Sequence, residues 1–94
     1  MIIKVFKVAK DSNINAVSVA ILEEVVNNGA CHVDVMGVSA NYTLVKALIL
    51  VTDTLVNNEY HCNLRPYYVN VPVDDSNNEQ HIKTAIRWTI MARK

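Results

Sequence analysis

The stretch Gly29–Val56, GACHVDVMGVSANYTLVKALILVTDTLV, decides the fold. Cys31 to Met36 alternates with a period of two, which marks a β-strand. Cys31, Val33 and Val35 share one face; His32, Asp34 and Met36 share the other. The chain then passes through a single glycine, Gly37, into a helical period. Leu44, Leu48, Val51 and Leu55 fall on one helix face, with Val45 and Ile49 beside them. Lys46 and Asp53 are the only charges of this helix, so burial on more than one side is expected. Ser39 or Asn41 is expected to cap it.

Working outward, the preceding segment repeats the strand-then-helix order. Ile2 to Val8 reads as a strand with Ile3 and Val5 on one side and Lys4, Phe6 and Val8 on the other. Asp11-Ser12-Asn13 supplies N-cap residues for a helix carrying Ile14, Val17, Ile21 and Val25, with Leu22 and Val26 on an adjoining stripe. Glu23 and Glu24 mark its wet side, and Gly29 is suited to a left-handed helix end. Beyond Asn57-Asn58-Glu59, Tyr60 to Val73 reads as a third strand. Pro66 and Pro72 place it at an edge, bulge or strand end, because proline cannot donate to a ladder. Asp74 to Asn78 forms a turn, and Gln80 to Met91 is the clearest strand. Ile82, Thr84, Ile86, Trp88 and Ile90 form one face of it, and His81, Lys83, Ala85, Arg87 and Thr89 the other. The order β-α-β-α-β-β predicts a mixed four-stranded sheet with both helices on one face.

The 94 residues fit one domain spanning residues 1–94, and an apolar fraction of 51% indicates a folded chain. No apolar run reaches the ~20 residues of a membrane span, and the N-terminus lacks signal-peptide features. The chain therefore reads as cytoplasmic, with Cys31 and Cys62 as reduced thiols. Nine basic residues balance nine acidic ones, which counts against non-specific DNA coating but leaves room for a local basic patch.

Few side chains suggest chemistry. Cys31-His32 and His61-Cys62 mirror one another, but neighbours on a strand point to opposite faces. Zinc ligand pairs are normally two to four residues apart, so buried cysteines with surface histidines are the expected arrangement. Neither thiol is marked as an activated nucleophile, and Gly37 alone is no phosphate loop. No acid/base pair or metal set can be named. The expectation is therefore a non-enzyme with no cofactor, no metal and no small-molecule substrate. Arg65, Lys83 and Arg87 cluster on the terminal hairpin. Tyr67 and Tyr68 can offer only one ring to any one surface, with core or dimer interface the simpler role for both.

Three blocks carry a family resemblance: Lys4-Val5 through Val8-Ala9-Lys10, Ser12 and Asn15-Ala16-Val17; Gly29-Ala30, Val33 to Gly37 and Leu44-Val45-Lys46-Ala47; and Lys83-Thr84-Ala85-Ile86-Arg87 ahead of Met91-Ala92-Arg93-Lys94. In order and spacing they resemble the stage V sporulation protein S family of the Alba-like superfamily. The resemblance implies an α+β, two-layer Alba-like sandwich, homodimerisation and a nucleic-acid-binding regulatory role, with DNA or RNA left open. Alba-type proteins contact nucleic acid through a lysine after the first strand, the loop after the second strand and the tip of the terminal hairpin. Lys10 matches the first position, and Ser39, Asn41 and Lys46 fall in or near the second. Asp11 follows Lys10 where a second lysine is common, and the Val38–Asn41 loop has no arginine. The hairpin tip carries Asp74, Asp75 and Glu79, which phosphates repel, so a hairpin reaching into a minor groove is not expected. Lys7, Lys10 and Lys46 form the candidate basic set. Backbone N–H groups at the helix starts near Asn13 and Asn41 add potential phosphate contacts. The alternative is a protein-interaction or self-assembly module that uses the apolar second helix and the hairpin without binding nucleic acid.

Overall fold

The computed structural model describes residues 4–74 and 79–94. The expectations for Ile2 and Ile3 in the first strand, and for Asp75 to Asn78 in the hairpin turn, lie outside them. The elements are β1 (Val5–Lys7), α1 (Ile14–Asn28), β2 (Ala30–Val35), α2 (Val38–Asn57), β3 (His61–Asp74) and β4 (Gln80–Arg93). The sheet order is β1-β2-β4-β3, with β1 parallel to β2 and the other neighbours antiparallel.

Register assigns every strand residue to a side. Cys31 pairs with Ile90, Val33 with Trp88 and Val35 with Ile86. These residues, with Phe6 of β1, face the helices and meet Ile21, Val25, Leu44, Leu48, Val51 and Leu55 in one core. The alternate residues, including His32, Asp34, Tyr67, Arg87 and Thr89, lie on the helix-free side. Both prolines pair in an unbroken ladder, Pro66 with Trp88 and Pro72 with Ile82. They are tolerated because β3 is an edge strand.

Asn13 caps α1, its Oδ1 accepting from the Ala16 N–H at 2.9 Å, and Gly29 ends it at φ 82°. The start of α2 differs from expectation. Neither Ser39 nor Asn41 caps it: the cap position is Gly37, at φ 85° and ψ 161°, which makes no side-chain bond. Asn41 lies a full turn inside the helix, where its Nδ2 donates back to the Gly37 carbonyl at 2.9 Å.

Within one chain α2 is buried on one broad face, by Leu44, Ala47, Leu48, Val51 and Leu55. The burial on a second side expected from its composition is not seen within one chain: Val38, Tyr42, Val45, Ile49 and Val56 are apolar but exposed. At 100° per residue these five fall on one line, opposite the core face. Among the described residues no helix is long and apolar enough to cross a membrane.

Gly37 occupies backbone space that only glycine enters readily, although a Cβ there would meet no atom within 4 Å. Gly37→Ala is therefore expected to cost roughly 1–3 kcal/mol by torsional strain alone. Urea unfolding should show Gly37→Asn failing to recover that loss, whereas Gly29→Asn recovers part of the cost of Gly29→Ala, because asparagine tolerates the left-handed helix end.

Candidate nucleic-acid interface

Thr43, in the second turn of α2, donates from Oγ1 to the Lys10 carbonyl at 2.9 Å. The bond ties the β1–α1 connection to the start of α2, and the Val8 N–H bond to the Asp34 carbonyl holds the same connection against β2. Between these segments and the far part of β3 lies a cleft of about 460 Å³, lined by Lys7, Lys10, Met36 to Ala40, Val71 and Val73.

Three expected site residues, Lys7, Lys10 and Ser39, therefore come together. Both lysines are exposed. The first N–H groups of a helix have no intrahelical partner, and the aligned peptide dipoles leave partial positive charge there. Gly37 contributes no capping oxygen and the first turn of α2 has no acid, so this end of α2 adds to the lysines' positive field.

The other three expected residues, Asn13, Asn41 and Lys46, do not line the cleft. Asn13 uses its side chain on the cap of α1. Asn41 is structural, because besides its bond to Gly37 its Oδ1 accepts from the Trp88 indole N–H at 3.3 Å. Lys46 does not line the cleft; its Nζ lies 4.1 Å from the Tyr42 ring centroid. The hairpin residues divide likewise. Tyr67 lies on the helix-free side with its hydroxyl 2.9 Å from Thr89 Oγ1, and Tyr68 is exposed on the helix side beside Val38 and Asn41.

The cleft also contains a residue that sequence reasoning left unassigned. Asp34, only 8% exposed, is gripped by Arg87 through Nε–Oδ1 at 2.7 Å and Nη2–Oδ2 at 3.0 Å. This two-pronged bond satisfies a charge that would be costly to bury alone, and it holds the guanidinium above its ordinary pKa. Both residues fall on outward-facing strand positions in the sequence. Their meeting depends on the β2–β4 register, which alternation alone does not reveal.

Cys31 and His32 point to opposite sides, as expected. Cys31 is fully buried in the core, and His32 Nδ1 lies 2.8 Å from Thr89 Oγ1 on the helix-free face. Cys62 is half-buried and His61 exposed. Among the described residues no group of three or more His, Cys, Asp or Glu side chains comes together.

The sequence model for stage V sporulation protein S matches residues 4–93. The chain belongs to the stage V sporulation protein S family. A search of curated proteins found no match. For this stage V sporulation protein S family member, the match spans all six elements, from just before β1 to the end of β4.

Burial pushes the Cys31 thiol from 9.0 up to about 12, with the Glu24 charge adding to the rise and Lys4 opposing it. Below about pH 9 the thiol is protonated whether the chain is folded or unfolded. Above that the unfolded thiol ionises first, so stability should fall as pH rises towards 12. Cys31→Ala is expected to flatten this alkaline slope in urea titrations. In the native protein at pH 8, a maleimide should label Cys31 only as fast as the chain opens.

Proposed function

We propose that this protein is a cytoplasmic, dimeric, non-enzymatic regulator that binds the nucleic-acid backbone through Lys7, Lys10 and the N-terminus of α2. The observation that carries the reading is the cleft in which two exposed lysines and an uncapped helix start converge. Phosphate oxygens are the natural ligands of such a set, since helix N–H groups and ammonium donors both favour an anion. Contacts of this kind position a protein on nucleic acid without reading its sequence. The acidic residues Asp74 and Glu79 flank the hairpin turn and disfavour an insertion of that tip among phosphates.

Dimerisation rests on the outer stripe of α2. A line of exposed apolar side chains opposite the core face is the pattern of a helix that packs on two sides, and Tyr68, 79% exposed, stands beside the start of the stripe. A second copy presenting the same stripe would form a self-complementary two-fold contact. The same stripe supports a second reading, self-assembly without nucleic acid.

Fluorescence anisotropy with labelled DNA and RNA separates the two. Phosphate binding must weaken as salt rises, with a log–log slope of about −0.7 to −0.9 per contact. Lys7→Glu with Lys10→Glu is expected to lower affinity at least tenfold, while Lys46→Glu changes it little. Binding retained by the double variant would reject the site. In sedimentation velocity, Val45→Glu with Ile49→Glu should convert a dimer to monomers; a wild-type profile for this variant would reject the α2 interface.

A further inference from the structure

The chain is neutral overall, but the fold sorts its charges. Glu23, Glu24, Asp53 and Glu59 lie on the helices and the turn after α2. On the helix-free side of the sheet, register places Lys7, Arg65, Lys83, Arg87 and Arg93. Among the described strand residues, one acid, Asp34, shares that side, and Arg87 neutralises it. Lys7, Arg65, Lys83 and Arg93 are exposed, so a basic face remains.

The centre of this face is organised rather than merely charged. Tyr67 on β3, Thr89 on β4 and His32 on β2 form a hydrogen-bonded chain across three strands, with links of 2.9 and 2.8 Å. The chain fixes the tyrosine ring. The Arg65 guanidinium lies over that ring, 4.8 Å from its centroid. A planar cation held on a tethered aromatic ring is a shelf on which a further flat group can stack. Exposed Met91, in the register row next to Arg65, adds apolar surface. Along β4, Lys83 and Arg93 lie on either side of this shelf, ten residues or roughly 34 Å apart at the usual strand rise.

We infer that the helix-free face of the sheet is a platform for single-stranded nucleic acid, on which Arg65 and Tyr67 receive an unpaired base while Lys7, Lys83 and Arg93 hold flanking phosphates. The inference rests on the nucleic-acid reading above and adds the form of the ligand and its track. Charge complementarity selects a polyanion, and the shelf selects one with free base faces, which a duplex keeps stacked inside. Lys7 lines the cleft and also lies on the sheet face, so cleft and platform are continuous.

The test is an anisotropy titration of the full chain with labelled U20 RNA, dT20 DNA and a 20-base-pair duplex. Single strands should bind at least tenfold more tightly than the duplex. Arg65→Ala should weaken U20 binding about five- to hundredfold, the usual range for losing one stacked base, with little effect on the duplex. Arg65→Lys keeps the charge but loses the plane, so it should weaken binding while leaving the salt slope unchanged. Lys83→Ala with Arg93→Ala should reduce that slope. These residues are exposed, and circular dichroism would verify that the variants fold. Equal binding of U20 and duplex, unaffected by Arg65→Ala but lost in the Lys7 and Lys10 variants, would overturn the platform and leave the cleft. No binding of any oligonucleotide would overturn both. Salt-sensitive self-association abolished by Arg65→Ala, without oligonucleotide binding, would assign the face to an acidic protein surface instead.

Discussion

The structure depends on the register of β4. This strand lies between β2 and β3 and pairs with both without a bulge. Its two-residue period assigns Ile86, Trp88 and Ile90 to the core under the helices and Ala85, Arg87 and Thr89 to the helix-free side. A slip of one residue would exchange the sets, burying Arg87 under the helices and exposing Ile90. The Asp34–Arg87 fork resists such a slip from the outer side, while Ile90 packed against Cys31 resists it from the inner side. One geometric choice therefore sets the hydrophobic core, the buried ion pair and the basic face together.

The second constraint is local. At Gly37 the chain turns from β2 into α2 with a backbone conformation that other residues enter only under strain. That turn brings the start of α2 beside Lys7 and Lys10, and the Thr43 bond to the Lys10 carbonyl holds it there. Glycine contributes no side chain to satisfy the first helical N–H groups. The turn that joins the two elements thus also leaves the helix end open toward the cleft.

Much of this was legible in the residues. Alternation in Cys31 to Met36 and in Gln80 to Met91 assigned the strand faces correctly, because a half-buried strand must separate apolar from polar side chains. Gly29 was recognisable as a helix end from its place after an asparagine pair. What escaped reading was mostly pairwise. The contacts of Asp34 with Arg87, and of Asn41 with Trp88, join residues 53 and 47 positions apart, and local periodicity does not specify such partners. Polar side chains at Ser39 and Asn41 are stronger capping signals than a bare glycine, yet Gly37 takes the cap position of α2. Lys46 shares its charge with Lys7 and Lys10, but its place on the helix sets its Nζ over the Tyr42 ring rather than in the cleft. The composition of α2 suggests burial on more than one side, whereas within one chain only one face is covered and Val38, Tyr42, Val45, Ile49 and Val56 stay exposed.

The hairpin has a consequence of another kind. β3 and β4 stay paired from His61–Arg93 to Asp74–Gln80, yet β2 accompanies β4 only from Ile86 to Met91. Beyond Ile86 the β3–β4 pair continues without β2 as a two-stranded ribbon, a form with little stability of its own; its Val71, Val73 and Ala85 line the cleft. Because its register is anchored at the base, pairs of residues can be gained or lost at the far end without changing the parity of any side chain in the core. The length of the arm is thus a dimension along which the fold can vary its reach while the domain beneath it stays the same.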